Sequence, residues 1–213
     1  LNTDLKRSYD FIICGGGSSG SVIARRLAEN PDSQVLLIEA GGNDDAESVL
    51  DPALWPTNIG SERDWGFQAQ PNPHLDGRAL SMSMGKGLGG GSSVNVMVWA
   101  HGHRSDWDHY ADESGDSGWG ADAVQAIYRR IENWQGAPDP QHRGTGGPVW
   151  VQPAADPSPI AGAMLDAAQE LGSPRFESPN GLMMAGEGGA AYTDMLVRDG
   201  RRHSLYRAYL RPW

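Results

Sequence analysis

The 213-residue sequence is poor in cysteine, in cationic side chains and in long apolar runs. Its one cysteine, Cys14, cannot close an intrachain disulfide; following Phe11, Ile12 and Ile13, it predicts a buried strand position with no redox role. Lys and Arg number 17 against 27 Asp and Glu, a formal charge of -10, so the surface repels phosphate backbones and anionic membranes, and nucleic-acid binding is disfavoured. Apolar stretches such as Val35 to Ile38 fall far short of the roughly 20 residues that span a bilayer, and Leu1 to Asp10 lacks a signal-type apolar region. No transmembrane segment is expected, and the chain reads as soluble and cytoplasmic. Glycine, by contrast, is abundant: 29 residues, roughly twice ordinary usage. With eight tryptophans and 38% hydrophobic residues this composition excludes a disordered tail, a collagen-like repeat and a coiled coil, leaving a turn-rich globular fold of one domain or one and a half.

Tyr9 to Cys14 is a short apolar run ending at Gly15-Gly16-Gly17, the pattern of a buried strand entering a tight turn. From Gly20 to Glu29 the spacing predicts a helix with Val22, Ile23 and Leu27 on one face, stopped by Asn30-Pro31. Gln34 to Glu39 then reads as a parallel strand covered on both faces, completing a βαβ unit. Residues 41 to 80 show no sustained period and predict a long irregular connection carrying Trp55, Trp65 and Phe67. Further helices are expected at Asp106 to Ala111, at Ala121 to Asn133 (Val124, Ile127, Tyr128 and Ile131 inward), and at Ile160 to Leu171 (Met164, Ala168 and Leu171 inward, Gly172 as stop).

Gly15, Gly17 and Gly20 fit G-x-G-x-x-G between a strand and a helix. The first turns the chain, the second opens the helix N-terminus to a diphosphate, and the third lets helix and strand pack closely. Ser18 and Ser19 add hydroxyl donors. Glu39, at the end of the second strand, is placed to accept hydrogen bonds from an adenosine ribose, and its charge argues against the 2'-phosphate of NADP. Gly16-Gly17-Ser18-Ser19-Gly20 also satisfies G-x-S-x-G, which would make Ser18 a hydrolase nucleophile; only fourteen residues precede the turn, too few for the strands and oxyanion loop that fold requires. Gly85-Lys86 fails as a phosphate loop because Leu80 and Gly87 stand where glycine and Ser or Thr are needed. His101, His103 and His109 with Asp106 and Asp108 could be drawn as a metal cluster, but solvated or capping roles are the commoner outcome, and no metal ligand is assigned.

Gly85-Lys86-Gly87-Leu88-Gly89-Gly90-Gly91-Ser92-Ser93-Val94-Asn95-Val96-Met97-Val98-Trp99, then Gly102 and Asp106-Trp107-Asp108, resembles the signature of the glucose-methanol-choline (GMC) oxidoreductases. So do Gly15 to Gly42, and Asp199-Gly200-Arg201-Arg202-His203-Ser204 through Ala208 to Pro212, where that family's chain returns to its FAD domain. The resemblance implies an α/β, Rossmann-like FAD-binding fold, incomplete in this chain, with irregular loops and the start of a substrate domain. It places Gly90, Gly91, Asn95, Met97 and Val98 along the flavin, with Trp65 and Leu88 as further contacts and Ala40 beside Glu39. It implies noncovalent FAD, since Val94 occupies the position of the histidine that links the cofactor in some members.

The activity implied is oxidation of a primary or secondary alcohol, with hydride transfer to flavin N5, a base taking the hydroxyl proton, and oxygen or another acceptor receiving the electrons. A non-redox flavin lyase shares the same scaffold. None of the six histidines matches the family's catalytic position, which is expected beyond Trp213, so no catalytic residue is assigned. Two strands, with no clear further parallel strand before residue 213, are too few for a dinucleotide sheet, and the expectation is the N-terminal portion of a longer enzyme. Residues 1–150 read as the FAD-binding part and 151–213 as the start of the substrate region and the return.

Overall fold

In the computed structural model, which describes residues 5–213, β1 (Phe11–Cys14) and β2 (Val35–Ile38) pair in parallel, with Phe11 opposite Val35 and Cys14 opposite Ile38. Between them runs α1 (Ser18–Leu27), the crossover that a parallel pair requires. The described residues form two compact units, one running to Met97 and taking up Gly200–Trp213, the other Val98–Asp199. The boundary read at residue 150 falls inside β7 (Val149–Pro153), a strand hydrogen-bonded on both sides.

In the first unit α1 turns Ser21 and Ala24 inward, while Ile23, expected on the buried face, is 47% exposed. Small residues face the turn because the approach is close: the Ser21 hydroxyl donates to the Gly16 carbonyl at 3.1 Å, and a Cβ on Gly20 would fall onto the Gly15 carbonyl oxygen. Cys14, expected to be buried, is exposed, and Ile38 of the strand expected to be covered on both faces is 51% exposed, so both expectations are corrected among the described residues. The region from 41 to 80 is mostly irregular, with α2 (Glu47–Leu50), a 3-10 turn over Pro52–Asn58, and a short antiparallel pair, β3 (Phe67–Gln68) and β4 (Ser81–Met82).

The second unit is built on a four-stranded sheet in the order β5 (Val98–Trp99), β8 (Asp194–Met195), β7, β6 (Glu132–Trp134). β6 and β7 are parallel, which corrects the reading that no further parallel strand precedes residue 213; β6 is three residues of Glu, Asn and Trp, with no apolar run to reveal it. Helices α3 (Arg104–Ser114), α4 (Ala121–Ile131) and α5 (Pro159–Glu170) belong to this unit, as does the short strand β9 (Val197–Arg198). Met164 and Leu171, expected inward on α5, are 68% and 89% exposed. Beneath the sheet, Arg143 donates to both oxygens of Glu132 and to Asp194, and stacks 3.5 Å over the Trp134 ring. Its two carboxylates compensate a buried guanidinium that would otherwise be costly. His101 lies against Glu132 at 3.2 Å, and His103 caps α3 in a reciprocal arrangement with Asp106, so structural roles account for two of the three histidines of the drawn cluster.

The chain then supplies β10 (Arg201–Arg202) and α6 (Leu205–Tyr209) to the first unit. Arg207 of α6 pairs with the buried Asp44 at 2.6 Å, and Arg25 and Arg26 of α1 lie over the rings of Trp213 and Tyr209. No helix among the described residues is long and apolar enough to cross a membrane.

Candidate functional site

The two glycine-rich segments of the sequence meet in the first unit. The Gly89 N–H donates to the Gly16 carbonyl at 2.7 Å and the Leu88 N–H to that of Gly42 at 3.0 Å, laying the loop of Leu88, Gly90 and Gly91 along the turn from Gly15 to Gly20. A Cβ on Gly90, whose φ is +52°, would stand 2.8 Å from the Gly17 Cα, closer than side-chain carbons pack. Gly17 is different. Its φ is -69°, open to any residue, and a Cβ there would meet only the Gly90 Cα at an ordinary 3.8 Å. Packing of the protein therefore does not require glycine at 17, whereas a ligand approaching the backbone would.

Gly17 is also where α1 begins. No side chain caps that end and its first turn holds no acidic residue, so the leading N–H groups of a ten-residue helix are unclaimed, with the positive end of the dipole behind them. Ser18 and Ser19 stand exposed on this first turn. Glu39 spans the turn: one carboxylate oxygen accepts the Gly16 N–H at 2.6 Å and the other the Gly41 N–H at 2.8 Å. Each oxygen keeps a lone pair for a further donor. Ala40 beside it is exposed.

A cavity of about 460 Å³ opens from this junction, bounded by Gly17, Gly90, Gly91, Val94 and Asn95 and walled by Trp65. Trp65 and Phe67 stack at 5.8 Å and 6°, giving a flat apolar face, with the Lys86 ammonium 4.9 Å from the Trp65 ring. Asp64 fixes the rim by accepting N–H groups of Gly60, Gly66 and Met84, which hold its carboxyl well below the usual range. Asn58, 1% exposed, also lines the cavity: its amide nitrogen donates to the Ser48 and Trp55 carbonyls, which fixes the amide orientation and leaves its Oδ1 without a partner. Met97 is 2% exposed with φ +62°, a left-handed backbone held by its N–H to the Asn95 side-chain oxygen at 3.0 Å.

An uncapped helix N-terminus, a glycine-walled approach, a carboxylate at the second strand and a flat aromatic face together fit a dinucleotide carrying a planar ring. Of the residues expected from the sequence, the structure gathers Gly15, Gly17, Gly20, Glu39, Leu88, Gly90, Gly91 and Asn95 about one junction and sets Trp65 in the cavity wall. Met97 is buried behind Asn95, and Val98 belongs to the other unit as the first residue of β5. Sequence reasoning missed Asn58 and Asp64, which no motif marks, and Arg202, which lay unremarked within the recognised Asp199 to Ser204 segment. The hydrolase reading needs a base at Ser18, and among the described residues no histidine hydrogen-bonds it or lines the cavity.

Comparison with known proteins agrees with this geometry. The family model for GMC oxidoreductases matches residues 9–213. The oxygen-dependent choline dehydrogenase of Brucella suis biovar 1 is 40% identical over 205 residues, covering 95% of this chain and 36% of that protein. Among solved structures, pyridoxine 4-oxidase from Mesorbium loti superposes with a TM-score of 0.88 at 38% identity, covering 95% of this chain and 39% of that one. Formate oxidase from Aspergillus oryzae RIB40 gives 0.83 at 26%, covering 95% and 37%. The chain thus spans little more than a third of the length of the curated relatives it matches. It belongs to the GMC oxidoreductase family and carries that family's N-terminal FAD-binding fold.

Proposed function

We propose that this chain holds FAD noncovalently as part of a flavoenzyme that oxidises the CH–OH group of a small alcohol. The observation that carries the reading is the convergence of Gly17 and Gly90 at the open end of α1, both bordering a cavity with a flat aromatic wall. Here the turn at Gly17 would receive the diphosphate, Glu39 the adenosine ribose, and the Trp65 face with Gly90, Gly91 and Asn95 the ring system. Val94 borders the cavity with no nucleophilic atom, which supports noncovalent binding at that position. FAD, when bound, supplies a two-electron acceptor for the alcohol. The contribution of these residues is binding, orientation and exclusion of water; no proton-accepting base is assigned to them.

The names of the relatives point to choline and pyridoxine as the first alcohols to try and to oxygen as the first electron acceptor. The flavoenzyme that carries this chain should be yellow when purified whole, and acid precipitation should release all of its flavin into the supernatant. Anaerobic addition of an alcohol substrate should bleach the visible band. A colourless protein that takes up no added FAD refutes the cofactor assignment. Stable colour that no alcohol bleaches, across a panel of choline, pyridoxine and aryl and alkyl alcohols, refutes the redox assignment and favours a non-redox flavin scaffold.

A further inference from the structure

Arg202 is 1% exposed, yet every acceptor it reaches is neutral: its Nε donates to the Val49 carbonyl at 2.7 Å, and its Nη1 to the Ser92 carbonyl at 3.2 Å and to Asn95 Oδ1 at 2.9 Å. Its Nη2 has no partner, and no carboxylate among the described residues pairs with it. Burial pushes its pKa down to about 10, which leaves it charged at neutral pH. The contrast lies within the same chain, where buried Arg143 meets Glu132 and Asp194, and the largely buried Arg207 meets Asp44. A buried cation without a counter-ion is costly, and one stands here a single side chain from the cavity that Asn95 lines. The Asn95 oxygen that it engages also accepts the Met97 N–H and so holds the left-handed backbone there, a strained conformation retained beside a binding loop.

We propose that Arg202 is a positioning residue of the flavin site that fixes Asn95 and Met97 and places an uncompensated positive charge behind the flavin loop, favouring the more negative, reduced form of the bound cofactor. The proposal rests on the FAD reading above. Its test is the midpoint potential of the flavin-loaded protein, measured for wild type, Arg202→Met, Arg202→Lys and Asn95→Asp. Arg202→Met should lose about tenfold in preference for reduced over oxidised flavin, about 30 mV for a two-electron couple. Arg202→Lys retains the charge and should recover most of that loss even where its thermal stability falls. Asn95→Asp keeps the shape of the side chain but supplies the missing counter-ion, and should lower the potential in the same direction. Met and Lys variants that shift alike, as a mere backbone staple would give, overturn the proposal, as does an unshifted potential in Asn95→Asp. Should Arg202→Met fail to fold, Arg202→Lys against wild type decides it: a potential near the wild-type value supports the charge, and a fall of about 30 mV overturns it. Wild-type protein that binds no flavin refutes the cofactor assignment itself, a distinct outcome visible in the spectrum before any potential is measured.

Discussion

Gly17→Ala separates what the fold needs from what the ligand needs. The backbone at 17 has φ -69° and ψ -168°, which alanine adopts without strain, and the added Cβ would meet only the Gly90 Cα at 3.8 Å. In the apoprotein two small terms oppose each other: alanine is a poorer helix N-cap than glycine by several tenths of a kcal/mol, and it restricts the unfolded chain by roughly 0.4–1 kcal/mol. The unfolding free energy should therefore change by no more than about 0.5 kcal/mol. The new methyl stands in the cavity, where it would hold a diphosphate off the α1 N–H groups by ~1 Å, taking hydrogen bonds of about 2.9 Å past the distance at which they hold. Losing one charge-assisted hydrogen bond costs about 1.5–3 kcal/mol, so affinity for FAD should fall at least tenfold and by up to about a hundredfold. Fluorescence titration of the apoprotein with FAD gives the affinity, and urea unfolding without FAD gives the stability. Wild-type affinity in the variant, or a loss of more than about 1 kcal/mol of apoprotein stability, refutes the assignment of Gly17 to the ligand rather than to packing.

Gly20→Ala should behave in the opposite way, since its Cβ falls on the Gly15 carbonyl oxygen: apoprotein stability should drop by roughly 2–3 kcal/mol, with flavin binding lost as a consequence, and unchanged urea unfolding would contradict the close helix-strand approach. Acid should loosen the second unit through Glu132, whose burial would raise its pKa but is outweighed by the hydrogen bond from His101 and by the bonds and charge of Arg143, bringing it from 4.5 to about 2. Because the folded value lies below the unfolded one, its contribution of roughly 3 kcal/mol is complete above about pH 4.5 and lost as pH falls from there through about 2. Glu132→Gln should cost roughly 3–5 kcal/mol at pH 7 and flatten that acid slope; a variant as acid-sensitive as wild type would remove Glu132 from the explanation.

The βαβ unit was legible because each of its parts leaves a local mark: an apolar strand, a glycine turn, an amphipathic helix and a carboxylate at the end of the second strand. What the period could not give was which side of an element finds a partner. Ile23 and Leu171 are apolar at helical spacing and yet exposed, because inward positions depend on what packs across from them; on α1 the close approach at Gly20 selects Ser21 and Ala24 instead. Strands of two or three residues such as β5, β6 and β8 are too short to show alternation, so the sheet of the second unit is set by long-range pairing. Asn58 and Arg202 were illegible for the same reason: Asn58 becomes a cavity residue only when its amide is claimed by Ser48 and Trp55, and Arg202 reaches a loop more than a hundred residues earlier.

Part of the glycine excess, visible before any motif, has a common physical origin in the first unit. Three segments far apart in sequence approach one another backbone to backbone there: a Cβ on Gly90 would stand 2.8 Å from Gly17, one on Gly41 would stand 2.5 Å from Lys86 and Gly87, and one on Gly85 would fall onto the Gly90 carbonyl. Side chains would separate these segments, and the cavity that opens between the Gly17 turn and the Gly90 loop would widen with them. Such packing gives up apolar burial and adds unfolded-state entropy, costing roughly 0.5–1 kcal/mol per glycine relative to alanine where the backbone is otherwise ordinary. A fold that accepts this repeatedly at one junction leaves room there for a compensating interaction. A dinucleotide whose diphosphate and ring engage the exposed backbone is an interaction of the required size, because each unclaimed N–H at the start of α1 contributes most to an anion held at hydrogen-bonding distance.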